Sequence, residues 1–142
     1  MEPKNLKNKT STGVSDVGMD ENGVVWVLCN EGVTMTLADA QKSTEVIEKV
    51  TNKTQRPQLV DFGKLQGIDR QAREYFAKDA RHIAGYNAVA IIMNSPITTV
   101  VANFFMGLNK PLRPTRLFTT REAAYEWLAQ FTAGAQGSRK AA

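Results

Sequence analysis

Few side chains in this sequence have the chemistry of a catalytic or metal-binding site, and they stand far apart. The chain has one cysteine, Cys29, and one histidine, His82. A thiol beside an imidazole is a potential nucleophile, but nothing in the sequence indicates that these two side chains meet. Cys29 ends an apolar run, where a thiol is usually an inert core residue. A single cysteine forms no intramolecular disulfide, and no His, Asp or Glu cluster has metal-ligand spacing. We therefore predict no catalytic residue, no metal and no cofactor.

Two short motifs resemble known phosphate or metal sites only superficially. Asp61-Phe62-Gly63 copies the magnesium-binding triad of protein kinases, but the glycine-rich loop, the strand lysine and the catalytic-loop motif of kinases are all absent from the sequence. The segment 63–67 contains two glycines without the spacing or the terminal Lys-Ser/Thr pair of a phosphate-binding loop. Neither motif predicts an enzyme.

A set of polar side chains is expected where two parallel strands end. Asp61 ends one predicted strand, and Asn94 and Ser95 follow the next. Ligands of open α/β sheets bind at the carboxyl ends of the strands, so these three residues and Asp69 form a candidate site, here called the strand-end rim. Alternatively, these residues have only structural roles close to them in the sequence. Asp69 and Ser95 would then cap helices, and Asp61 would accept hydrogen bonds from loop amides. An enzyme working from this rim would need a base with a near-neutral pKa, and the one histidine is not in the cluster.

One predicted helix carries no charge at all. The spacing of apolar residues predicts a helix over 97–108, with Ser95 as its N-cap and Pro96 at its first position. The face of a helix that meets solvent normally carries charge, whereas the back face of this helix consists of Thr98, Thr99, Ala102, Asn103, Met106 and Gly107. Three interpretations remain open. This face is covered within the domain, forms the contact surface of a homodimer, or makes one wall of a slot for an apolar ligand.

A basic segment follows that helix. Between 110 and 121 there is no acid, and the basic residues are Lys110, Arg113, Arg116 and Arg121. The segment is either a site for an anionic headgroup or an acidic protein partner, or a solvated loop. Together with the uncharged back face, Lys110, Arg113 and Arg116 complete the predicted ligand- or partner-binding surface.

Alternating strands and helices must position these residues. The turn residues 20–23 separate two apolar runs and predict a hairpin. Further strands are predicted at 58–61, 87–93 and 115–118. Helices are predicted at 37–51 after a capping signal at 36–39, from Asp69 to about Ala80, at 97–108, and after a second capping signal at 119–122. Strands separated by single helices indicate an α/β fold with a mixed, mainly parallel sheet of about five strands and about four helices.

The charge of the chain lies at its ends. The net charge is +4, but residues 13–131 contain thirteen basic and thirteen acidic residues. We therefore expect a flexible basic arm at 1–12, a single domain at 13–131 and a disordered tail at 132–142, with no nucleic-acid partner. The uncharged stretch 82–109 is interrupted by Asn94-Ser95-Pro96, which argues against a membrane span and leaves at most peripheral membrane contact. The basic start lacks the apolar region of a secretion signal, so a cytoplasmic location is expected.

Several segments of this chain resemble a known superfamily of small bacterial domains, the SpoIIAA-like or STAS/Sec14-like superfamily. The similarity spans about 24–131 and is greatest to a group of uncharacterised bacterial proteins. The shared segments are Leu59-Val-Asp61, Ala72-Arg73, Gly107-Leu-Asn-Lys-Pro111, Pro114-Thr-Arg-Leu-Phe118, Glu122-Ala-Ala and Trp127-Leu128. None of them is a catalytic motif.

The resemblance implies a STAS-like fold and a role without catalysis. Well-studied members of this superfamily are anti-sigma-factor antagonists that are switched by phosphorylation of a serine just after an Asp at the start of a helix. In this chain Arg70 follows Asp69, and Arg has no hydroxyl to accept phosphate. Because the sequence contains no catalytic constellation and the back face of helix 97–108 is uncharged, we predict a non-enzymatic regulatory or protein-interaction domain of STAS-like type that forms a homodimer. The alternative, implied by Sec14-like relatives, is a binder of a lipid or another apolar small molecule at helix 97–108.

Overall fold

A computed structural model describes residues 1–3, 5–93 and 112–132. The predicted helix 97–108 and the predicted tail from 133 onward lie outside these residues. The strands are β1 Lys7–Ser11, β2 Ser15–Met19, β3 Val25–Cys29, β4 Thr34–Met35, β5 Arg56–Gly63, β6 Gly67–Ile68, β7 Tyr86–Met93 and β8 Thr115–Phe118. The helices are α1 Leu37–Thr51, α2 Arg70–Lys78, α3 Ala80–Ile83 and α4 Arg121–Thr132.

The main sheet has six strands in the order β1-β2-β3-β5-β7-β8. The pairs β1–β2 and β2–β3 are antiparallel, and the three remaining pairs are parallel. A second, two-stranded sheet joins β4 and β6 in parallel. The predicted α/β fold with a mixed, mainly parallel sheet is therefore confirmed, with one more strand in the main sheet than expected.

The additional strand lies within the segment 1–12, which was expected to be a flexible arm. Residues 7–11 form β1, which pairs with β2 through Thr10 opposite Val17 and Ser11 opposite Asp16. Every side chain of β1 is exposed, so the segment lacks the alternation of apolar and polar residues that marks a half-buried strand. Backbone hydrogen bonds to β2 are the main contacts of such a strand, and lysines are common on the edges of sheets because they oppose further strand pairing.

Three predicted starts of elements are confirmed in detail. Asp39 N donates to Thr36 Oγ1 at 3.3 Å and Thr36 N donates to Asp39 Oδ2 at 3.0 Å, which is the capping box predicted for α1. Asp69 caps α2. The hairpin between β2 and β3 turns at Gly23, whose φ of +82° is readily adopted only by glycine.

Helices cover both faces of the main sheet. In β7, Val89, Ile91 and Met93 pack on the side of α1 and α2, whereas Ala88, Ala90 and Ile92 pack against α4. The small side chains of β7 on the α4 side allow the helix to lie close to the sheet, where Leu128 is fully buried. Within the described residues, no helix has both the length and the apolar character needed to cross a membrane.

Candidate functional site

Most of the predicted partner surface lies outside the described residues. This applies to Thr98, Thr99, Ala102, Asn103, Met106 and Lys110, and to Asn94 and Ser95 of the strand-end rim. Their roles stay predictions. The structure places the four others, Asp61, Asp69, Arg113 and Arg116.

The two described residues of the strand-end rim make local contacts. Asp61 Oδ2 accepts a hydrogen bond from Arg121 Nε at 2.7 Å, and Asp61 Oδ1 accepts one from Gly63 N at 2.7 Å. Asp69 Oδ1 accepts from Ala72 N at 2.9 Å and thereby starts α2. In the described part of the chain, no hydrogen bond or ion pair joins Asp61 to Asp69. Both carboxylates thus have the capping and loop-binding contacts of the local alternative.

Some of the basic residues in segment 110–121 already have partners within the protein. Arg121 is paired with Asp61. The exposed Arg116 lies over the ring of Phe118, with its guanidinium carbon 5.4 Å from the ring centroid. Arg113 is half-buried, and its Nε has no hydrogen-bond partner within the described residues. Among the described cations of this segment, Arg113 is therefore the one with a buried nitrogen that lacks a partner.

A cavity of about 60 Å³ lies between the sheet and the helices α1, α2 and α3. Its walls are mainly apolar, with Ile47 on α1, Ala77 on α2, Val60 on β5 and Ile91 on β7. Leu112 also lines it and is 75% exposed, so the cavity reaches the surface beside the segment 94–111. A water molecule needs roughly 10–15 Å³ of such space. The cavity is therefore large enough for a small organic group.

The amide of Gln58 is the unusual feature of this cavity. Gln58 lies in the middle of the sheet, opposite Val25 on β3 and Val89 on β7, and its side chain is 1% exposed. Neither its Oε1 nor its Nε2 has a hydrogen-bond partner in the described part of the chain. A buried polar group without a partner costs about 1–3 kcal/mol of stability, and buried amides are nearly always hydrogen-bonded. Within the described residues, Gln58 is therefore a buried polar group without a partner at the wall of the cavity.

Four further side chains with polar oxygen or nitrogen atoms line the same cavity, and one of them, Thr115, donates its hydroxyl to Arg113 O at 2.9 Å. Ser43 on α1 is buried. The burial of Tyr86 raises the pKa of its phenol to about 12, and the positive charge of Arg113 opposes that shift. The imidazole of His82 lies with its Nδ1 3.0 Å from Thr44 Oγ1. The phenol therefore stays protonated at neutral pH, as a neutral hydrogen-bonding group.

Both members of the hypothetical Cys29–His82 pair line the cavity. Burial, reinforced by the negative charge of Asp61, raises the pKa of the Cys29 thiol to about 12. A thiol is nucleophilic only as the thiolate. Cys29 is therefore an unreactive wall residue at neutral pH.

Sequence reasoning missed Gln58, although a signal was present. The run 58–61 reads as a strand buried between two parallel neighbours, and such strands are nearly continuously apolar. A glutamine inside that run is therefore an exception that requires a hydrogen-bond partner or a ligand. The sequence does not reveal which of these applies, because the answer depends on the atoms opposite the side chain.

Comparisons with known proteins identify a family and a fold. A family model described as a domain of unknown function (DUF7793) matches residues 19–132. A similar fold is found in the crystal structure of an uncharacterized DUF3478-family protein with a SpoIIAA-like fold from Shewanella loihica PV-4. That match has 18% identity and a TM-score of 0.50, and covers 80% of this chain and 91% of the other. It confirms the predicted SpoIIAA-like fold.

A second solved structure is less similar in shape. It is a protein with unknown function from Arthrobacter sp. FB24, at 27% identity and a TM-score of 0.34, and the match covers 87% of this chain and 98% of that one. None of the curated proteins matches the chain.

Proposed function

The chain belongs to the DUF7793 family, and we propose that it is a non-enzymatic binding domain whose cavity accepts a small, mainly apolar molecule. The observation that carries the proposal is the unpartnered amide of Gln58 at the cavity wall. Replacing this amide with an apolar side chain would remove its desolvation cost. A bound molecule that hydrogen-bonds to the amide gives a physical reason for its presence.

The chemistry of the described wall favours binding over catalysis. The wall contains no Asp, Glu, Lys or Arg among the described residues. Its thiol is held protonated by burial. Mostly apolar surroundings with a few polar groups are typical of sites that bind small molecules.

The position of the cavity also supports the predicted apolar-ligand alternative. Its surface end is at Leu112, directly after the segment that contains the predicted helix 97–108. The described space of about 60 Å³ holds on the order of four waters. A ligand larger than this would place one end beside Gln58 and extend past Leu112.

Filling the cavity tests the proposal. Ala77→Leu on α2 adds three carbon atoms to the cavity wall, and leucine suits a helix. We expect saturable amide chemical-shift changes at cavity residues when the full-length protein is titrated with six-heavy-atom probes: 2-pyrrolidone, cyclopentanone or methylenecyclopentane. In Ala77→Leu the apparent dissociation constant of each probe should rise at least tenfold, because the probe and the new side chain compete for the same volume.

The matched control is Ala123→Leu, which makes the same change at an exposed position of α4, on the opposite side of the sheet. This variant should bind the probes as the unaltered chain does. If no probe gives saturable shifts in the unaltered chain, or if Ala77→Leu binds as well as Ala123→Leu, the cavity is not a binding site.

Self-association is a second candidate function. It is supported by the uncharged back face of the predicted helix 97–108 and by Leu112, which directly follows this segment and is an exposed large hydrophobic residue. Homodimer formation, a regulatory role and a cytoplasmic location stay predictions.

A charge on the predicted interface tests self-association. Thr99→Glu should convert a dimer to a monomer in sedimentation or native mass spectrometry, because a desolvated carboxylate without a partner is strongly unfavourable in an interface. Gln41→Glu, which adds the same charge at an exposed position of α1, should leave the dimer intact. A Thr99→Glu protein that remains dimeric would place the interface elsewhere.

A further inference from the structure

We infer that the ligand of this cavity is a neutral molecule that presents a hydrogen-bond donor next to an acceptor, as a lactam or a carboxamide does, to the side chain of Gln58. The inference rests on the proposed function and names the class of its ligand. It predicts which of several small molecules of equal size binds most tightly in the cavity.

The first step is the hydrogen-bonding capacity of Gln58. Its amide oxygen accepts and its amide nitrogen donates, and both atoms lack a partner among the described residues. A ligand with only an acceptor, such as a ketone, leaves the amide oxygen unsatisfied. A hydrocarbon leaves both atoms unsatisfied. A group with adjacent donor and acceptor can engage the two atoms together through a pair of parallel hydrogen bonds.

The second step is that this pairing does not depend on the orientation assigned to the amide. Exchanging the oxygen and the nitrogen of Gln58 only reverses the order of donor and acceptor along its edge. A lactam turned over in the cavity presents the reversed order. The flanking residues Val25 and Val89 offer no competing side-chain hydrogen bond in either orientation.

The third step concerns charge. The described wall holds no acidic or basic residue other than His82, and the Cys29 thiol and the Tyr86 phenol are neutral at neutral pH. An ionised carboxylate beside Gln58 would be a buried charge with no Lys or Arg among the described wall residues to pair with it, which is unfavourable. Neutral amides therefore fit the inner end of the cavity better than anions do.

The test compares three probes of equal size with the unaltered, full-length protein. 2-Pyrrolidone presents a donor and an acceptor, cyclopentanone presents an acceptor only, and methylenecyclopentane presents neither. Dissociation constants come from amide chemical-shift titrations of the cavity residues. We expect 2-pyrrolidone to bind at least tenfold more tightly than each of the others, because it alone satisfies both polar atoms of Gln58.

The variant Gln58→Met assigns that preference to the amide. Methionine has nearly the same length and no amide, so the preference for 2-pyrrolidone over methylenecyclopentane should disappear. A Gln55→Met protein is the matched control. Gln55 directly precedes β5, and its Nε2 already donates to Ala84 O at 3.2 Å. That variant should keep the preference.

The outcomes separate the inference from the proposed function. If all three probes bind saturably with similar affinity, the cavity binds small molecules but the donor–acceptor selection is wrong. The selection by Gln58 is also wrong if Gln58→Met keeps the full preference for 2-pyrrolidone. If none of the probes binds, the proposed function itself fails. The comparison among probes uses the unaltered chain, so it stands even if Gln58→Met does not fold.

Discussion

Replacing Asp20 with alanine is expected to lower the free energy of unfolding by about 3–5 kcal/mol. Asp20 is 6% exposed and lies in the turn between β2 and β3. Its Oδ1 accepts hydrogen bonds from Asn22 N at 2.9 Å and Val24 N at 3.0 Å. Its Oδ2 accepts from Trp26 Nε1 at 3.0 Å and Tyr125 Oη at 2.7 Å.

The size of this effect follows from what the substitution leaves behind. Four donors lose their acceptor, and two of them, Val24 N and Trp26 Nε1, are buried. Hydrogen bonds to a charged acceptor contribute about 1.5–3 kcal/mol each, although the contributions within one network do not add. The same carboxylate ties the hairpin to α4 through Tyr125, whose ring also packs against Trp26. The loss therefore affects the turn and the contact between the sheet and the helix together.

Chemical denaturation monitored by tryptophan fluorescence measures this loss. The control is Asp16→Ala on β2, because Asp16 is substantially exposed and its ion pair within the described residues is a 3.9 Å contact with Lys9. Such surface pairs contribute little, and we expect a change of about 0.5 kcal/mol or less. An Asp20→Ala loss no larger than that of Asp16→Ala would show that the buried carboxylate does not stabilise the hairpin.

The substitution Gln58→Met is expected to have the opposite effect. In the ligand-free protein it should raise the free energy of unfolding by about 1–3 kcal/mol, because it removes a buried amide with two unsatisfied atoms and keeps the volume of the side chain. Stabilisation by a change at the wall of a cavity is typical of sites where a group serves binding at the expense of stability. Equilibrium denaturation of the ligand-free variant gives the value.

The control for this prediction is again Gln55→Met. The amide of Gln55 is half-buried and donates to Ala84 O. Removing it leaves that carbonyl without this donor, so we expect a loss of about 1 kcal/mol. A destabilised Gln58→Met protein would mean that the Gln58 amide is satisfied within the protein, and the main support for the binding site would be lost.

Much of the fold follows from local sequence patterns. The turn at Asp20–Gly23, the capping box of Thr36 and Asp39, and the cap at Asp69 depend on residues within a few positions of one another, and each forms as predicted. The parallel pairing of β3, β5, β7 and β8 agrees with the prediction made from strands separated by single predicted helices. Local rules are sufficient here because the hydrogen bonds they describe are themselves local.

The features that sequence reasoning missed depend on partners that the local pattern does not identify, and one of these partners is distant in the sequence. Asp20 and Tyr125 are 105 residues apart and meet through a hydrogen bond. β1 forms because β2 offers an unpaired edge, which the polar sequence of residues 7–11 does not reveal. The helix predicted from Asp69 to about Ala80 ends at Lys78, because Asp79 leaves the helical conformation and caps a new helix through His82 N.

In the candidate site, too, some features could be predicted from the sequence and others could not. The sequence indicates that an apolar ligand is one possible occupant of the region around helix 97–108, and the cavity ends beside that segment at Leu112. It does not indicate Gln58, because a glutamine in a buried strand becomes informative only when the atoms opposite it are known. Asp61, which the sequence places at the end of a strand, accepts a hydrogen bond from Arg121 at the distant start of α4.

The most direct test of the central claim is the thermal unfolding of the unaltered chain and of Gln58→Met, each with and without 2-pyrrolidone. A ligand at ten times its dissociation constant stabilises the folded state by about 1.4 kcal/mol. At the concentration that gives this gain in the unaltered chain, Gln58→Met should be the more stable protein without the lactam and should gain much less from it. Equal gains in both proteins, or no gain in either, would contradict the assignment of Gln58 as the ligand-binding residue of this cavity.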